Sequence, residues 1–234
     1  MNISVAIDGP AGAGKSTIAK MVAKELELMY INTGSMYRAV ALKSKEKGIN
    51  PESIKEIEEL IKSFNMEFIN DDLYLNGENI QEKITMPEIS SIVSAYASIK
   101  EVRVLLVKLQ QDMAKKYNVI MDGRDIGTVV LKNSPYKFFL TASAEERASR
   151  RYKELTERNI KCSFQEILKN IKHRDFLDET RDVDPLKKAE DAILIDSTNL
   201  SINEVVNKIV KIVKLNINNW FLSYNLGEHK NAKG

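Results

Sequence analysis

The stretch Gly9-Pro10-Ala11-Gly12-Ala13-Gly14-Lys15-Ser16 decides the fold, because it contains every fixed position of the pattern G-x-x-x-x-G-K-[ST]. It follows the apolar run Ile3–Ile7 and precedes a helical pattern, the context in which this loop binds phosphate. The glycines let backbone N–H groups point inward, and the next helix N-terminus adds positive potential. We expect Lys15 to reach the β- and γ-phosphates of a nucleoside triphosphate and the Ser16 hydroxyl to hold Mg²⁺. An ordinary Gly/Ala-rich turn is the alternative, which the complete motif disfavours.

The composition is that of an ordinary globular protein, and it excludes several classes of function. Hydrophobic residues make up 43% and charged residues 29% of the chain. A formal charge of +2 gives no general basic surface, so we expect no nucleic-acid partner. We expect no membrane partner either, because no apolar run approaches the ~20 residues of a membrane span. The single Cys162 and a strand pattern that starts at Ile3 predict a cytoplasmic protein without a signal peptide.

Short apolar runs alternate with helical patterns along the chain. The runs that predict strands are Ile3–Ile7, Leu28–Ile31, Val119–Met121, Lys137–Leu140 and Ala192–Ile195. The segments between them carry apolar residues at helical spacing. This order predicts an α/β protein with a five-stranded parallel sheet flanked by helices.

Several helix starts are marked by capping residues. Ser143, Ser163 and Ser201 each precede a glutamate by three positions, a spacing typical of capping boxes. Asn50-Pro51 predicts a further start, with the asparagine as cap and the proline in the first turn.

One segment interrupts the alternation of strands and helices. Three short apolar runs follow one another there: Met66–Phe68, Leu73–Leu75 and Asn79–Ile80. Turn residues at Asp71-Asp72 and Asn76-Gly77 separate them, which predicts a small antiparallel sheet inserted between the second and third main strands. A helix is expected to follow from near Thr85. An insertion of this length favours a role in shaping a binding site over a neutral excursion.

Arginine is used sparingly in a chain whose default cation is lysine. Of 35 basic residues, nine are arginines: Arg38, Arg103, Arg124, Arg147, Arg150, Arg151, Arg158, Arg174 and Arg181. A planar guanidinium binds phosphate through paired hydrogen bonds, so as a set these residues indicate phosphate sites. For each arginine taken singly, a surface ion pair is the alternative.

Two motifs place an arginine beside other phosphate-binding features. Thr33-Gly-Ser-Met-Tyr-Arg38 opens the helix after the second strand, which brings a hydroxyl, a helix N-terminus and a cation together. Asp122-Gly-Arg-Asp125 lies just past the third strand, at the edge where open α/β sheets bind ligands.

Two further helical segments predict a lid. Arg147, Arg150 and Arg151 lie about one turn apart on one helix, and Arg174 and Arg181 lie on or near the next. A mobile pair of helices of this kind can bring arginines onto a transferred phosphate.

Phosphoryl transfer asks a protein for charge and alignment more than for covalent chemistry. A phosphate monoester as acceptor, with a second pKa near ~6, is already ionised and needs no general base. An alcohol acceptor would need a carboxylate base, for which Asp125 is the candidate, and both acceptors stay open from the residues alone. A regulatory GTPase is disfavoured, because no Asn-Lys-x-Asp motif is found.

Six motifs together resemble the bacterial cytidylate (CMP) kinase family, in the P-loop nucleoside monophosphate kinase superfamily. They are Gly9–Thr17, Thr33–Arg38, Asp122–Val130, Glu146–Arg151, Arg174…Asp178…Arg181 and Asp196–Thr198. Gly-Arg-Asp-x-Gly-Thr-Val-Val is the most specific of them, and the match runs through Val213. Asn32 and Thr33 stand where many members have Asp-Ser.

The resemblance implies that the protein transfers the γ-phosphate of MgATP to CMP or dCMP. Ser16 would hold the Mg²⁺ ion. We expect the enzyme to be a monomer. The resemblance assigns to ATP the residues Gly9, Pro10, Ala11, Gly12, Ala13, Gly14, Lys15, Ser16 and Thr17. In CMP, the phosphate and sugar would be held by Thr33, Tyr37, Arg38 and Arg124, and the cytosine by Ser94, Arg103 and Asp125. The pentose would also contact Asp178 and Arg181, and the phosphate would also contact Arg174. The expected catalytic residues are Lys15, Arg124, Arg147 and Arg151.

The same resemblance implies a division of the chain into parts. A kinase domain would span residues 1–216, with its core at 1–32, 99–142 and 184–216, a monophosphate-binding region with the insertion at 33–98 and a lid at 143–183. Residues 217–234 would form a C-terminal tail in which we expect Trp220 and Phe221 to pack on the body and Gly227–Gly234 to fray.

Overall fold

The computed structural model describes residues 2–157 and 159–228, with side chains described through Asn216. The strands within these residues are β1 (Ser4–Asp8), β2 (Met29–Asn32), β3 (Met66–Ile69), β4 (Asp72–Leu75), β5 (Glu78–Asn79), β6 (Val119–Gly123), β7 (Tyr136–Thr141) and β8 (Ile193–Asp196). The α-helices there are α1 (Lys15–Leu26), α2 (Thr33–Glu46), α3 (Ile54–Lys62), α4 (Gln81–Ile84), α5 (Pro87–Ala97), α6 (Lys100–Lys116), α7 (Ala144–Glu157), α8 (Phe164–Thr180) and α9 (Ile202–Glu228). A π-helical turn spans Ile126–Val130.

The main sheet is five-stranded and parallel, with the strand order β2-β6-β1-β7-β8, so the predicted fold class is confirmed. Each strand continues one or two residues past the carboxyl end predicted from its apolar run. The hydrogen-bonded ladder therefore includes polar residues that an apolar pattern leaves out.

The register of the central strands gathers these polar ends at one edge. Asp8 at the end of β1 lies beside Gly123 of β6, and Asn32 at the end of β2 lies beside Asp122. The loops that follow β1, β2 and β6 therefore start side by side. This edge is where ligands bind in open α/β sheets.

Helices cover both faces of the main sheet. On one face α1 and α9 pack through Ile18, Val22 and Ile209, all of them buried. On the other face α2, α6 and the small sheet share a larger core that includes Met36 and Leu106. Each buried aliphatic side chain contributes about 1.5–3 kcal/mol, so the two cores hold the edge rigidly.

The inserted antiparallel sheet is confirmed, with the order β3-β4-β5, between β2 and β6 of the main sheet. Leu73 and Leu75 of β4 point into the core. The turn at Asn76-Gly77 has positive φ at both residues, as expected. The first turn lies one residue earlier than predicted, because Asn70 and Asp71 are the two residues with positive φ.

The capping predictions differ in outcome. Glu146 N donates to Ser143 Oγ over 3.1 Å, and Glu204 N donates to Ser201 Oγ over 3.3 Å, so both serines cap their helices. Ser163 precedes α8 but makes no side-chain cap hydrogen bond. The start predicted at Asn50-Pro51 is wrong: Ser53 N donates to Asn50 O over 3.0 Å and closes a turn, so α3 begins only at Ile54.

Helix α9 runs on through the position at which a tail was expected to begin. The predicted packing of Trp220 and Phe221 concerns side chains outside the described ones, and Gly227–Gly234 lies mostly outside the described residues. None of the helices in the described part of the chain combines the length and the hydropathy needed to cross a bilayer.

The glycine that opens the phosphate-binding loop is constrained by both conformation and space. At Gly9 φ is +152°, and an added Cβ would lie 2.0 Å from Leu140 O. At Gly77 φ is +84°, but nothing lies within 4 Å of an added Cβ. We expect Gly9→Ala to lower the free energy of unfolding by about 3–5 kcal/mol and Gly77→Ala by about 1–2 kcal/mol. Urea unfolding of both variants checks this, and equal losses would contradict it.

Candidate active site

The loop between β1 and α1 curls around the N-terminus of α1. Gly12 and Gly14 have φ of +75° and +83°, in the left-handed region that glycine tolerates, and Gly14 is the N-cap of α1. Lys15 is buried, and its Nζ donates to Pro10 O over 2.7 Å. Burial lowers the pKa of Lys15 well below its ordinary value, and the nearby Arg124 lowers it further. The loop therefore holds the buried amine of Lys15 at the N-terminus of α1.

A polar network joins the first turn of α1 to the ends of β2 and β6. The carboxylate of Asp122 accepts from Ser16 Oγ over 2.9 Å and from the Tyr30 hydroxyl over 2.7 Å. Asn32 Nδ2 donates to the Tyr30 hydroxyl over 3.0 Å. Burial and the charge of Asp122 raise the pKa of Tyr30, so its hydroxyl keeps the proton that it donates. Asp122 is thereby oriented toward Ser16.

The start of α2 is fixed at the same edge. Asn32 Oδ1 accepts from Ser35 N over 3.0 Å and caps the helix. The Thr33 hydroxyl donates to Asp122 O over 2.8 Å. Both contacts aim the N-terminus of α2 at the space in front of β6, which favours an anion there.

One cleft brings most of the predicted site residues together. The predicted residues that line it are Ala11, Gly12, Lys15, Ser16, Thr33, Tyr37, Arg38, Ser94, Arg103, Arg124, Asp125, Arg174, Asp178 and Arg181. Those that do not line it are Gly9, Pro10, Ala13, Gly14, Thr17, Arg147 and Arg151. Asn32 and Asp122 also line the cleft, although the site prediction did not include them.

Three arginines and Lys15 crowd one end of the cleft. Burial, then Arg124 and Arg38, lower the pKa of Arg174 to about 10. Burial and then Arg124 also lower the pKa of Arg38. The Nε atoms of Arg38 and Arg174 are buried and have no hydrogen-bond partner among the described residues. Buried donors of this charge call for an anion, and phosphate is the anion whose geometry suits them.

An aspartate from α8 reaches the same group of cations. Asp178 Oδ2 accepts from Arg124 Nε over 2.6 Å. Burial alone would raise the pKa of Asp178, but the guanidiniums of Arg124, Arg174 and Arg181 together outweigh it and lower that pKa. Helix α8 is thereby attached to the loop that follows β6.

The opposite end of the cleft is a buried cluster of ion pairs. Arg103 Nη2 donates to Asp125 Oδ2, and Arg181 Nη2 lies 3.5 Å from Asp125 Oδ1. Arg103 is 1% exposed and stacks on the ring of Tyr37, with 5.5 Å from Cζ to the centroid. Ser94 lines the same part of the cleft. A carboxylate fixed in this way can accept hydrogen bonds from a flat, amino-bearing ring.

The two predicted catalytic arginines of α7 make other contacts. Arg147 donates to Ala142 O over 3.0 Å and to Ala11 O over 2.8 Å, and its Nη2 lies 2.7 Å from Asp175 Oδ2. Arg147 therefore ties α7 to the phosphate-binding loop rather than lining the cleft. Arg151 is exposed and pairs with Glu154 over 2.7 Å. Contact of either residue with a transferred phosphate stays a prediction.

Asp8 is a site residue that the sequence prediction missed. Its carboxylate accepts from Ile126 N over 2.8 Å and from Gly127 N over 2.7 Å, and so anchors the turn that carries Arg124 and Asp125. Burial raises the pKa of Asp8 to about 7. The available signal was an acidic residue at the end of an apolar strand, directly before the loop.

The raised pKa of Asp8 predicts a specific pH dependence of stability. Between an ordinary value near 4 and about 7, the folded chain binds this proton more strongly than the unfolded chain does. The contribution of Asp8 to stability therefore falls as pH rises through this interval, by at most about 1.4 kcal/mol for each pH unit. Asp8→Asn removes the titration, so the wild type should lose stability relative to this variant from pH 4 to pH 7.

Urea unfolding at half-unit pH steps measures the difference between the two proteins. Asp182→Asn, at an exposed position, is the matched control and should show no comparable trend. A difference between wild type and Asp8→Asn that does not vary with pH would contradict the assignment.

Comparison with known proteins supplies independent information. The family model described as cytidylate kinase matches residues 5–215. A cytidylate kinase of Clostridium botulinum (strain Langeland) is 58% identical over 214 residues, 92% of this chain and 99% of the relative. A cytidylate kinase of Clostridium perfringens (strain SM101) is 63% identical over 207 residues, 88% of this chain and 95% of the relative. The crystal structure of an uncharacterized protein from Eubacterium ventriosum aligns with a TM-score of 0.51 at 12% identity, over 92% of this chain and 99% of that one, which is a likeness of fold alone.

Proposed function

The chain belongs to the cytidylate kinase family of phosphotransferases, whose acceptor is a phosphate group, and we propose that it transfers the γ-phosphate of MgATP to CMP or dCMP. The observation that carries the proposal is the crowding of Arg38, Arg124, Arg174 and Lys15 at one end of the cleft. The buried Nε atoms of two of these arginines have no hydrogen-bond partner within the part of the chain that the structure describes. Two phosphate-bearing substrates meeting there would supply the missing negative charge.

The donor nucleotide lies on the loop between β1 and α1 in this proposal. Residues Gly9–Thr17 hold its phosphates through the N-terminus of α1 and through backbone N–H groups, which every residue of this loop except Pro10 carries. Lys15 Nζ exchanges its contact with Pro10 O for the β- and γ-phosphates. Because Lys15 is already dehydrated, its charge acts on the transferred group with little screening.

The acceptor phosphate binds the guanidinium groups of Arg38, Arg124 and Arg174, beside the N-terminus of α2. One of its oxygens attacks the γ-phosphorus, and the bond from phosphorus to the β–γ bridging oxygen breaks, so that ADP leaves. The attacking oxygen is already ionised at neutral pH, so the protein has no proton to remove. The arginines and Lys15 align the two anions and stabilise the charge that moves between them.

The base binds at the other end of the cleft. Asp125 accepts from the exocyclic amine of cytosine, with Ser94 and Arg103 completing the recognition, while Asp178 and Arg181 hold the pentose. Both carboxylate oxygens of Asp125 face guanidinium groups, so this residue is a poor general base. That arrangement supports a phosphate acceptor over an alcohol.

The residues at the start of α1 fit a magnesium ion held mainly by substrate phosphates. In the described part of the chain, no cluster of three or more His, Cys, Asp or Glu side chains could hold a metal by itself. The Ser16 hydroxyl and the Asp122 carboxylate, 2.9 Å apart, are hard oxygen donors of the kind that Mg²⁺ prefers. Ser16 would bind the ion and Asp122 would orient it. When bound, a magnesium ion there would supply positive charge to the phosphates of the donor nucleotide.

The remaining assignments are part of the same proposal. We assign the lid to residues 143–183 and the acceptor region to 33–98, with Arg124, Arg147 and Arg151 acting on the transferred group as the lid moves. A monomer is part of the same proposal. The near-neutral charge and the single Cys162 support a cytoplasmic enzyme without a nucleic-acid or membrane partner.

A panel of acceptors tests the proposed reaction. We expect ADP release from ATP with CMP and dCMP to exceed that with UMP, AMP or shikimate by at least about tenfold in kcat/KM. Uracil presents a carbonyl where cytosine presents its amine to Asp125, adenine is a larger purine ring, and shikimate has no base. A coupled ADP-release assay measures each acceptor at equal enzyme concentration. Preference for any acceptor other than a cytidine monophosphate would overturn the proposal.

Removal of the Lys15 ammonium should strongly lower kcat and leave the fold intact. We expect Lys15→Ala to lower kcat by about 10²–10³-fold, because the lost charge acts on the moving phosphate. Its melting temperature should not fall, since burial and Arg124 already oppose the charged form of Lys15. Lys24→Ala, an exposed lysine of the same helix, is the control and should keep wild-type kcat. Equal activity in the two variants would contradict this role.

A further inference from the structure

Arg103, at the base end of the cleft, is held on all three sides of its guanidinium. Its Nε donates to Asp184 Oδ2 over 3.1 Å, Nη1 donates to Ala97 O over 3.1 Å, and Nη2 donates to Asp125. The side chain is 1% exposed, so no water can replace a lost partner without rearrangement. Asp184 therefore fixes the rotation of the guanidinium that faces Asp125.

The same aspartate also holds the second guanidinium that faces Asp125. Arg181 donates through Nε to the backbone carbonyl of Asp184 over 2.7 Å, and its Nη2 donates to the same oxygen. Arg181 Nη2 then lies 3.5 Å from the other oxygen of Asp125. Both oxygens of Asp125 are thus faced by arginines that Asp184 positions, one through its side chain and one through its backbone.

The charges in this cluster balance only when Asp184 is counted. Two guanidiniums, of Arg103 and Arg181, face two carboxylates, of Asp125 and Asp184. Asp184 is not among the residues that line the cleft, so it acts through its neighbours. Its φ of +49° lies in the left-handed region, where aspartate and asparagine are tolerated better than most residues.

We propose that Asp184 is a positioning residue for recognition of the acceptor base, a role that rests on the proposed function above. It sits where the segment after α8 meets α6, and it satisfies Arg103 so that Asp125 keeps lone pairs for an amino group of the base. Without the charge of Asp184, Arg103 draws more strongly on Asp125, its other carboxylate partner. The protein then discriminates less between a base that presents an amine and one that presents a carbonyl at that position.

Asp184→Asn tests the proposal with the backbone conformation preserved. We expect KM for CMP to rise about tenfold, while kcat and KM for ATP change by less than about twofold, because the donor site and the cation cluster lie elsewhere. The ratio of kcat/KM for CMP to that for UMP should fall at least about fivefold. Asp184→Gly, which tolerates the same φ and lacks a side-chain acceptor, should show larger changes in the same direction.

Asp182→Asn is the matched control, since it removes one exposed carboxylate from the same segment and should behave as wild type. Melting temperatures are measured for every variant, and Asp184→Asn decides if Asp184→Gly does not fold. Kinetics of Asp184→Asn equal to those of Asp182→Asn, or KM values for CMP and UMP raised by the same factor, would overturn this inference alone. A wild-type chain that does not favour cytidine monophosphates would overturn the proposed function, and this inference with it.

Discussion

Repulsion among the cations of one cleft is the constraint on which the rest of the structure depends. Burial and then the charge of Arg124 lower the pKa of Lys15, Arg38 and Arg174, so these cations lie close enough to repel one another. A folded chain can hold such a group only if rigid elements keep it together and if counter-charges lie nearby. The parallel sheet supplies the rigid elements, because its two cores fix α1, α2 and the end of β6, from which Lys15, Arg38 and Arg124 extend.

The aspartates near the cleft neutralise only part of its positive charge. Asp178 pairs with Arg124, and Asp122 is committed to Ser16 and Tyr30. Neither satisfies the buried Nε atoms of Arg38 and Arg174. The fold thus neutralises enough charge to remain stable and keeps donors for an arriving phosphate. Phosphoryl transfer benefits because these donors are oriented before the substrate arrives.

Contacts between loops connect the two ends of the cleft mechanically. Asp8, the last residue of β1, anchors the turn that directly follows Arg124 and Asp125. Arg147 of α7 and Asp175 of α8 attach these two helices to Ala11 of the phosphate-binding loop. The phosphate-binding loop, the segment after β6 and helices α7 and α8 are therefore linked by hydrogen bonds, and a shift in one of them displaces the others.

The sequence by itself determined the fold class, the phosphate-binding loop and the inserted sheet, because each follows from a local pattern: a fixed motif, an apolar period or a turn signal. Only the tertiary structure decided which polar residues meet. Asp8, Asp175 and Asp184 each make one contact across more than 80 positions in the chain, and no local pattern encodes a hydrogen bond of that span. The structure likewise placed Arg147 against Ala11, since the packing of α7 on α8 sets where its side chain points.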